Sequence, residues 1–296
     1  MGSIGVGENP WASGRGVANR RCPRAMPSAR PRAEGVWAGF LGFVGPVPRW
    51  AERIALNRPP TCSVATMAGP ENSGTHPPPA LISWSSGKDA AYALYEVGRT
   101  RVVTPVGLLT TVTEAFGRVS MHGVREELLR AQAEALGLPL TTVRIPYPCP
   151  NEVYEREMRQ ALTAARSAGV RHVVFGDLFL EDIRRYRETQ MAKAEMECVF
   201  PLWHRPTHEL AREMLRAGLR ARLVCVDPRV LARSFAGRAF DERFLSDLPP
   251  SVDPCGEHGE FHTFVTDSPM FRSPVAVRQG ETVDRDGFVF TDLNPE

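Results

Sequence analysis

LISWSSGKDAAYAL, residues 81–94, ends an apolar run at Ser83 and begins a helical pattern at Ala90, with polar and glycine residues between. Lys88 stands at that junction and is one of two lysines in the chain, with Lys193, against 34 arginines. In an open α/β sheet, ligands sit beyond the carboxyl ends of the strands, near the first strand–helix turn. Small residues at Ser85, Ser86 and Gly87 let backbone N–H groups approach an anion, and the following helix adds its positive end. Lys88 adds a compact charge for phosphate oxygens where arginine's planar fork is bulkier. Ile82 and Asp89 break the Walker A pattern, and no G-x-G-x-x-G is present. On these residues alone, an ordinary turn with a solvated lysine accounts for the stretch as well as a phosphate loop does.

From Leu81 onward, strand and helix patterns alternate. Short apolar strands at ALISW, 102–112, LTTVRIP, 172–177, CVFPL and RARLVCV are separated by helical periods at 88–97, 124–136, 151–168, 181–195 and 207–219. This order predicts an α/β fold, a doubly wound parallel sheet with helices on both faces. Beyond Asp227 the pattern loosens into Gly, Pro and short strands, which predicts a smaller C-terminal α+β lobe for substrate. The expected organisation is therefore an extension at 1–79, a nucleotide-binding domain at 80–226 and a substrate lobe at 227–296. No internal repeat is visible.

Residues 1–79 are rich in Arg, Pro and Gly, lack a sustained period of 3.6 or 2, and are expected to be disordered. VWAGFLGFVGPVP carries too many glycines and prolines for a signal-peptide core, and MGSIGV lacks the myristoylation Ser or Thr. A transit peptide or a translation start near Met67 are the two readings of this segment, and the second is preferred.

Charge separates the two parts of the chain. Residues 1–79 carry +5 and the remainder −3, so the folded part is a poor partner for a phosphate backbone, and nucleic acid is disfavoured. No run approaches the ~20 apolar residues of a membrane span. Six scattered cysteines without a C-x-x-C pair suggest no disulfide framework, and a reducing cytoplasm is the expected location.

SSGKDA at 85–90 resembles the S-G-G-K-D-S loop of the PP-loop ATP pyrophosphatases, the adenine nucleotide alpha hydrolase superfamily. Within it, the chain resembles the diphthine–ammonia ligase family, most closely its bacterial branch of unassigned activity. The likeness runs from Leu81 to the last residues, through LLTTVTEAFGRVSMHGVR, FGDLFLEDIRRYRE, PLW and, most specifically, DPCGEHGEFHTFVTDSPMF. Two departures stand in the loop: Ser86 replaces a Gly and Ala90 replaces the final Ser, which removes a hydroxyl.

The resemblance implies the HUP-type fold and chemistry at the α-phosphate of ATP. A substrate carboxylate or amide oxygen would attack, giving an adenylated intermediate with release of pyrophosphate, and ammonia or another nucleophile would then displace AMP. Ser85, Ser86, Gly87, Lys88, Asp89, Thr110, Gly176 and Asp177 are the implied ATP-binding positions, with Asp89 and Asp177 as Mg²⁺ ligands. Thr110 could instead be there for β propensity, and Asp177 as a helix N-cap. His122, Cys255, Gly256, Glu257, Glu260, His262 and Thr263 are the candidate substrate positions. Lys88, Asp177, Glu260 and His262 are the catalytic candidates.

In CGEHGEFHTF, Cys255, His258 and His262 could instead ligate zinc with a fourth ligand from elsewhere. A loop holding a polar substrate is the preferred reading, because the family usually has Asn or Gly where His258 stands. Asp182, Arg184 and Arg185 read as a solvated helix face. The expected partners are a small-molecule or protein carboxylate and an ammonia donor, with a homodimer as one candidate assembly. Bacteria lack diphthine as the family is understood, so a different carboxylate is expected. Two rival functions are a nucleotide-binding protein without turnover and a tRNA-modifying PP-loop enzyme. The second would call for paired cysteines.

Overall fold

A computed structural model describes residues 76–296. The expected disordered extension falls outside the described residues as far as residue 75.

Eleven strands and six α-helices follow in the described part: β1 Pro79–Ser83, α1 Lys88–Thr100, β2 Thr104–Thr113, β3 Arg118–Val119, α2 Glu126–Leu136, β4 Leu140–Ile145, α3 Asn151–Ser167, β5 His172–Val174, α4 Glu181–Lys193, β6 Glu197–Val199, α5 Thr207–Arg216, β7 Arg220–Val226, β8 Ala239–Phe240, α6 Glu242–Asp247, β9 Phe261–Asp267, β10 Val277–Arg285 and β11 Phe288–Pro295. β1 pairs in parallel with β2 on one side and β5 on the other. β4 and β6 extend the parallel sheet at its two ends, and short β3 turns back against β2. The parallel order is thus β4-β2-β1-β5-β6, the doubly wound arrangement expected from the sequence, and its direction of winding reverses between β1 and β5.

Alternation within β1 shows how the layers form. Ala80 and Ile82 join a core shared with α1, α2 and α5, while Leu81 joins a second core with Leu162 of α3 and Met191 of α4. Both faces are covered, as a parallel sheet requires.

RARLVCV corrects the sequence reading. It is β7, and it belongs to a second, antiparallel sheet, flanked by β9 on one side and by β8 and β11 on the other. The boundary drawn at residue 226 therefore falls at the end of this sheet's central strand. A buried apolar run has the same pattern in a parallel and an antiparallel sheet, so periodicity could not separate them. Of CVFPL only Cys198 and Val199 are strand, at the end of β6, with a turn from Pro201.

The two sheets share one core and are stitched together at the β1–α1 loop. Gln132 of α2 is fully buried; its side chain accepts from the Trp84 indole (2.9 Å) and donates to the carbonyls of Ser86 (3.1 Å) and Val265 (2.7 Å). Val265 N–H also donates to the Ser86 carbonyl at 3.0 Å, and Lys88 N–H donates to Thr263 Oγ1 at 3.1 Å. On the far side, Asp292 of β11 pairs with Arg118 (2.8 Å) and Arg125 (2.6 Å).

Ser86 holds this turn at a cost. Its φ is 71°, in the left-handed region that favours glycine, and its buried Oγ has no hydrogen-bond partner. Ser86→Gly is expected to stabilise the fold by about 1 kcal/mol, from relieved strain and a removed orphan hydroxyl. Thermal unfolding should show a midpoint higher by roughly 2–4 °C. An unchanged or lower midpoint would show that the serine is not strained.

Candidate functional site

The loop after β1 opens on a cavity of about 220 Å³ at the point where the winding reverses. Four segments converge there: Ser85, Lys88 and Asp89 of the loop; Phe175, Gly176 and Asp177 beyond β5; Arg187 of α4; and Gly256, Glu257, His262 and Thr263 leading into β9, with His122 beside them. A larger groove of about 350 Å³ between α2 and the last residues of the chain contains none of the sequence-predicted site residues.

Gly176 is explained by close approach. A Cβ there would lie 2.7 Å from the Asp89 carbonyl carbon and 2.9 Å from Ala90 N, so any side chain would push the β5 loop off the first turn of α1. Gly87 is less constrained, because its missing Cβ would meet the Thr263 carbonyl at 3.2 Å and the His122 ring at 3.3 Å.

Lys88 is not solvated. It is 1% exposed, and its ammonium donates to Asp89 Oδ2 at 2.9 Å and to the Cys255 carbonyl, lying 5.1 Å from the centre of the Phe261 ring. Burial works against this charge, but the Asp89 carboxylate prevails and holds Lys88 above its ordinary value. Burial raises Asp89 in turn, opposed by Lys88, and its Oδ1 is buried without a partner.

Asp177 accepts from Arg187 Nε at 2.7 Å, and that guanidinium lies 4.7 Å from the centre of the Phe175 ring. Asp177 does not cap α4, whose N-cap is Leu180. Glu257 Oε1 accepts from Leu178 N–H at 2.8 Å and Phe179 N–H at 3.4 Å. Burial, reinforced by the Asp89 and Asp177 carboxylates, pushes Glu257 up to about 7, against the pull of the Leu178 N–H and Lys88. His122 and His262 pack together with ring centres 4.5 Å apart and ring planes tilted by 40°. Burial lowers both, with Lys88 adding to the effect: His122 falls well below its ordinary value and His262 to about 4, so both are neutral at pH 7.

Several sequence-predicted residues support the site from outside it. Thr110 donates its hydroxyl to the Trp84 carbonyl, fixing the entrance to the loop and not facing the cavity. Glu260 is buried below the C-terminal loop, where Oε1 accepts from Asp253 N–H at 3.1 Å; it does not line the cavity. Cys255 presents its carbonyl to Lys88, while its thiol, raised by burial, contacts the Thr207 carbonyl at 3.4 Å.

The zinc alternative gains nothing from these positions. Cys255 faces Thr207, exposed His258 packs its ring edge against Phe179, and His262 packs on His122. Arg187 and Gln132 were not singled out from the sequence. Gln132 sits on amphipathic α2 and Arg187 on α4, a largely polar helix whose one buried residue is Met191, and only the GDLFLEDIRRYRE string hinted at Arg187. Arg184, read as solvated, stacks on Phe200 and Trp203 at 4.8 and 4.6 Å.

Comparison with known proteins agrees with this architecture. The family model described as Diphthamide synthase N-terminal domain matches residues 80–194, and that described as Diphthamide synthase C-terminal domain matches residues 206–292. Together they cover more than half of the chain. A diphthine–ammonia ligase of Homo sapiens is 25% identical over 225 residues, 69% of this chain and 84% of the relative. That of Bos taurus is 24% identical over 235 residues, 72% of this chain and 87% of the relative. That of Danio rerio is 33% identical over 113 residues, covering 35% and 43%. No described helix is long and apolar enough to cross a membrane.

Glu257 generates a pH prediction. Its folded-state value lies above that of an unfolded carboxyl, so the folded protein is penalised as pH rises from about 4.5, and fully so above about 7. Glu257→Gln keeps an oxygen for the Leu178 N–H and removes the penalty. It is expected to stabilise the fold by roughly 1–3 kcal/mol at pH 8, allowing for partial exposure, and by little at pH 4.5. Melting curves of both proteins across this range test it. A gap that does not widen with pH would contradict the assignment.

Proposed function

The chain belongs to the diphthine–ammonia ligase-like family of the PP-loop superfamily, and we propose that it is an ATP-dependent, AMP-forming ligase that amidates a carboxylate. One observation carries the reading: the β1–α1 loop and the C-terminal loop face each other across a single cavity. One wall has the features of a phosphate site and the other those of a polar substrate site. Two reactants held there gain the proximity advantage of a positioned reaction.

In this reading a carboxylate oxygen attacks the α-phosphorus of ATP and pyrophosphate leaves. A nitrogen nucleophile then attacks the acyl carbon, AMP leaves, and the nitrogen loses a proton as the amide forms. The N-terminus of α1 and the buried Lys88 charge stabilise the leaving pyrophosphate. Glu257, near neutrality and facing the cavity, is placed to take the proton from the nitrogen. The neutral His122–His262 pair forms a wall without charge. Ser85, Gly87 and Gly176 keep the phosphate side open, and Thr263 holds the Lys88 amide in place.

Mg²⁺ would neutralise phosphate charge. The partnerless Oδ1 of Asp89 fits it, whereas Asp177 is committed to Arg187. Among the described residues, no three His, Cys, Asp or Glu side chains group into a metal site. That suits a cation taking most of its ligands from phosphates and water.

Diphthine, named for the relatives, is one candidate substrate. A different carboxylate, small molecule or protein, with ammonia as donor is the reading preferred here. The tie between Lys88 and Asp89 favours one rival, a nucleotide-binding protein without turnover.

The test incubates the protein with Mg-ATP, ammonium and fractionated cell extract, following the nucleotide products. AMP and pyrophosphate should appear in a fraction-dependent manner, and Lys88→Ala and Lys88→Arg should each lower the rate by about a hundredfold or more. The Arg variant should fail because the buried slot between Asp89 and the Cys255 carbonyl has no room for a guanidinium. ADP and phosphate as products would sink the reading, and tight ATP binding with no consumption in any fraction would favour the rival.

A further inference from the structure

Resting on the ATP-dependent reading, we infer that Arg187 grips the terminal phosphates of ATP and the pyrophosphate that leaves. Asp177 is then its positioning partner, not a metal ligand. Three observations converge on this role.

The guanidinium is fixed from two sides, by the 2.7 Å bond from Nε to Asp177 and by the Phe175 ring at 4.7 Å. Its two terminal amino groups make no hydrogen bond among the described residues, although the side chain lines the cavity. A planar guanidinium held by Nε, with both terminal groups unused, is preorganised for a bidentate grip on phosphate oxygens.

The second observation is location. The Asp177–Arg187 pair follows directly on Gly176, whose Cα packs against the Asp89–Ala90 peptide in the first turn of α1. Arg187 therefore shares the cavity with the helix terminus that favours negative charge.

The third is that the other cation is engaged. Lys88 is buried and spends two of its three ammonium donors on Asp89 and the Cys255 carbonyl, so Arg187, with both terminal amino groups unused, is the cation of the cavity wall with the larger share of free donors. Asp89, Asp177 and Glu257 surround these two cations with carboxylates, and a polyphosphate could not be held against them without unused donors.

The experiment measures equilibrium binding of ATP, inorganic pyrophosphate and AMP by calorimetry, in Mg²⁺ and in EDTA, with melting curves alongside. Arg187→Gln should weaken ATP and pyrophosphate by about tenfold or more and leave AMP, which lacks the terminal phosphates, within about twofold. Arg187→Lys should recover little, because an ammonium cannot stack, hold Asp177 and present a fork at once. Asp177→Asn keeps an oxygen acceptor for Nε–H and should cost less than about threefold, equally in Mg²⁺ and EDTA.

Pyrophosphate affinity unchanged in Arg187→Gln, or AMP affinity lost as severely as pyrophosphate, would overturn the inference while leaving the ligase reading intact. A loss in Asp177→Asn seen only with Mg²⁺ would restore Asp177 as a metal ligand. Wild-type protein that binds neither ATP nor pyrophosphate would remove the ligase reading, and this inference with it. If Arg187→Gln does not fold, the Lys and Asn variants decide the matter by the same criteria.

Discussion

A single buried amide holds the molecule's two halves in register. Gln132 receives the Trp84 indole proton and gives its own two to the Ser86 and Val265 carbonyls, at no exposure to solvent. Each bond contributes on the order of 1 kcal/mol net, but any one left unmade would strand a buried polar group at up to about 3 kcal/mol. Because the four groups come from two points of the β1–α1 loop, from α2 and from β9, none can relax without moving an element of the core. The strained Ser86 backbone persists for the same reason: its carbonyl is held by Gln132 and by the Val265 amide at once.

The cavity inherits its electrostatics from this rigidity. Two cations and three carboxylates share a small volume, and the fold pairs them unequally. Lys88 with Asp89 forms an inner pair under the loop; Arg187 with Asp177 forms an outer pair toward α4. Glu257 is left without a cation of its own, bonded only to backbone N–H groups, and so it is the carboxyl raised toward neutrality. The His122–His262 pair stays neutral because protonating either ring would bring a charge into a buried wall already facing Lys88.

How much of this could be read in the sequence depends on the reach of each interaction. The loop at 85–89 and the alternating strands and helices are local patterns, and the parallel sheet follows from them by connection rules. The string around 255–264 pointed to Glu257, His262 and Thr263, which line the cavity, although spacing alone gave no hint that Thr263 would bind the Lys88 amide, 175 residues away. Positions whose role is set by distant contacts were misread or missed. Thr110 looked like a ligand contact and is a brace for Trp84. Glu260, a catalytic candidate from the sequence, lies outside the cavity and accepts from the Asp253 N–H seven residues away. Gln132 on amphipathic α2 and Arg187 on the largely polar α4 look like surface residues until the fold shows what they touch. Gly176, expected from the resemblance as an ATP-binding position, is explained in the structure by the α1 peptide that packs against it.

The departures of the loop from its family's pattern can be weighed against the same contacts. Ala90, in place of Ser, is 4% exposed and belongs to the core shared by α1, α2 and the second sheet. A methyl group is at home there, and the lost hydroxyl removes at most one neutral donor from a site that still has the α1 terminus and Arg187. Ser86 is different in kind, because its cost falls on the folded state and not on the ligand. Its side chain is buried away from the cavity, which Ser85 lines and Ser86 does not. Such a substitution weakens the frame slightly and leaves the walls of the site where they were. The loop can therefore depart from its family at two of six positions and still keep a tight turn, a helix terminus at the cavity and a buried charge behind it.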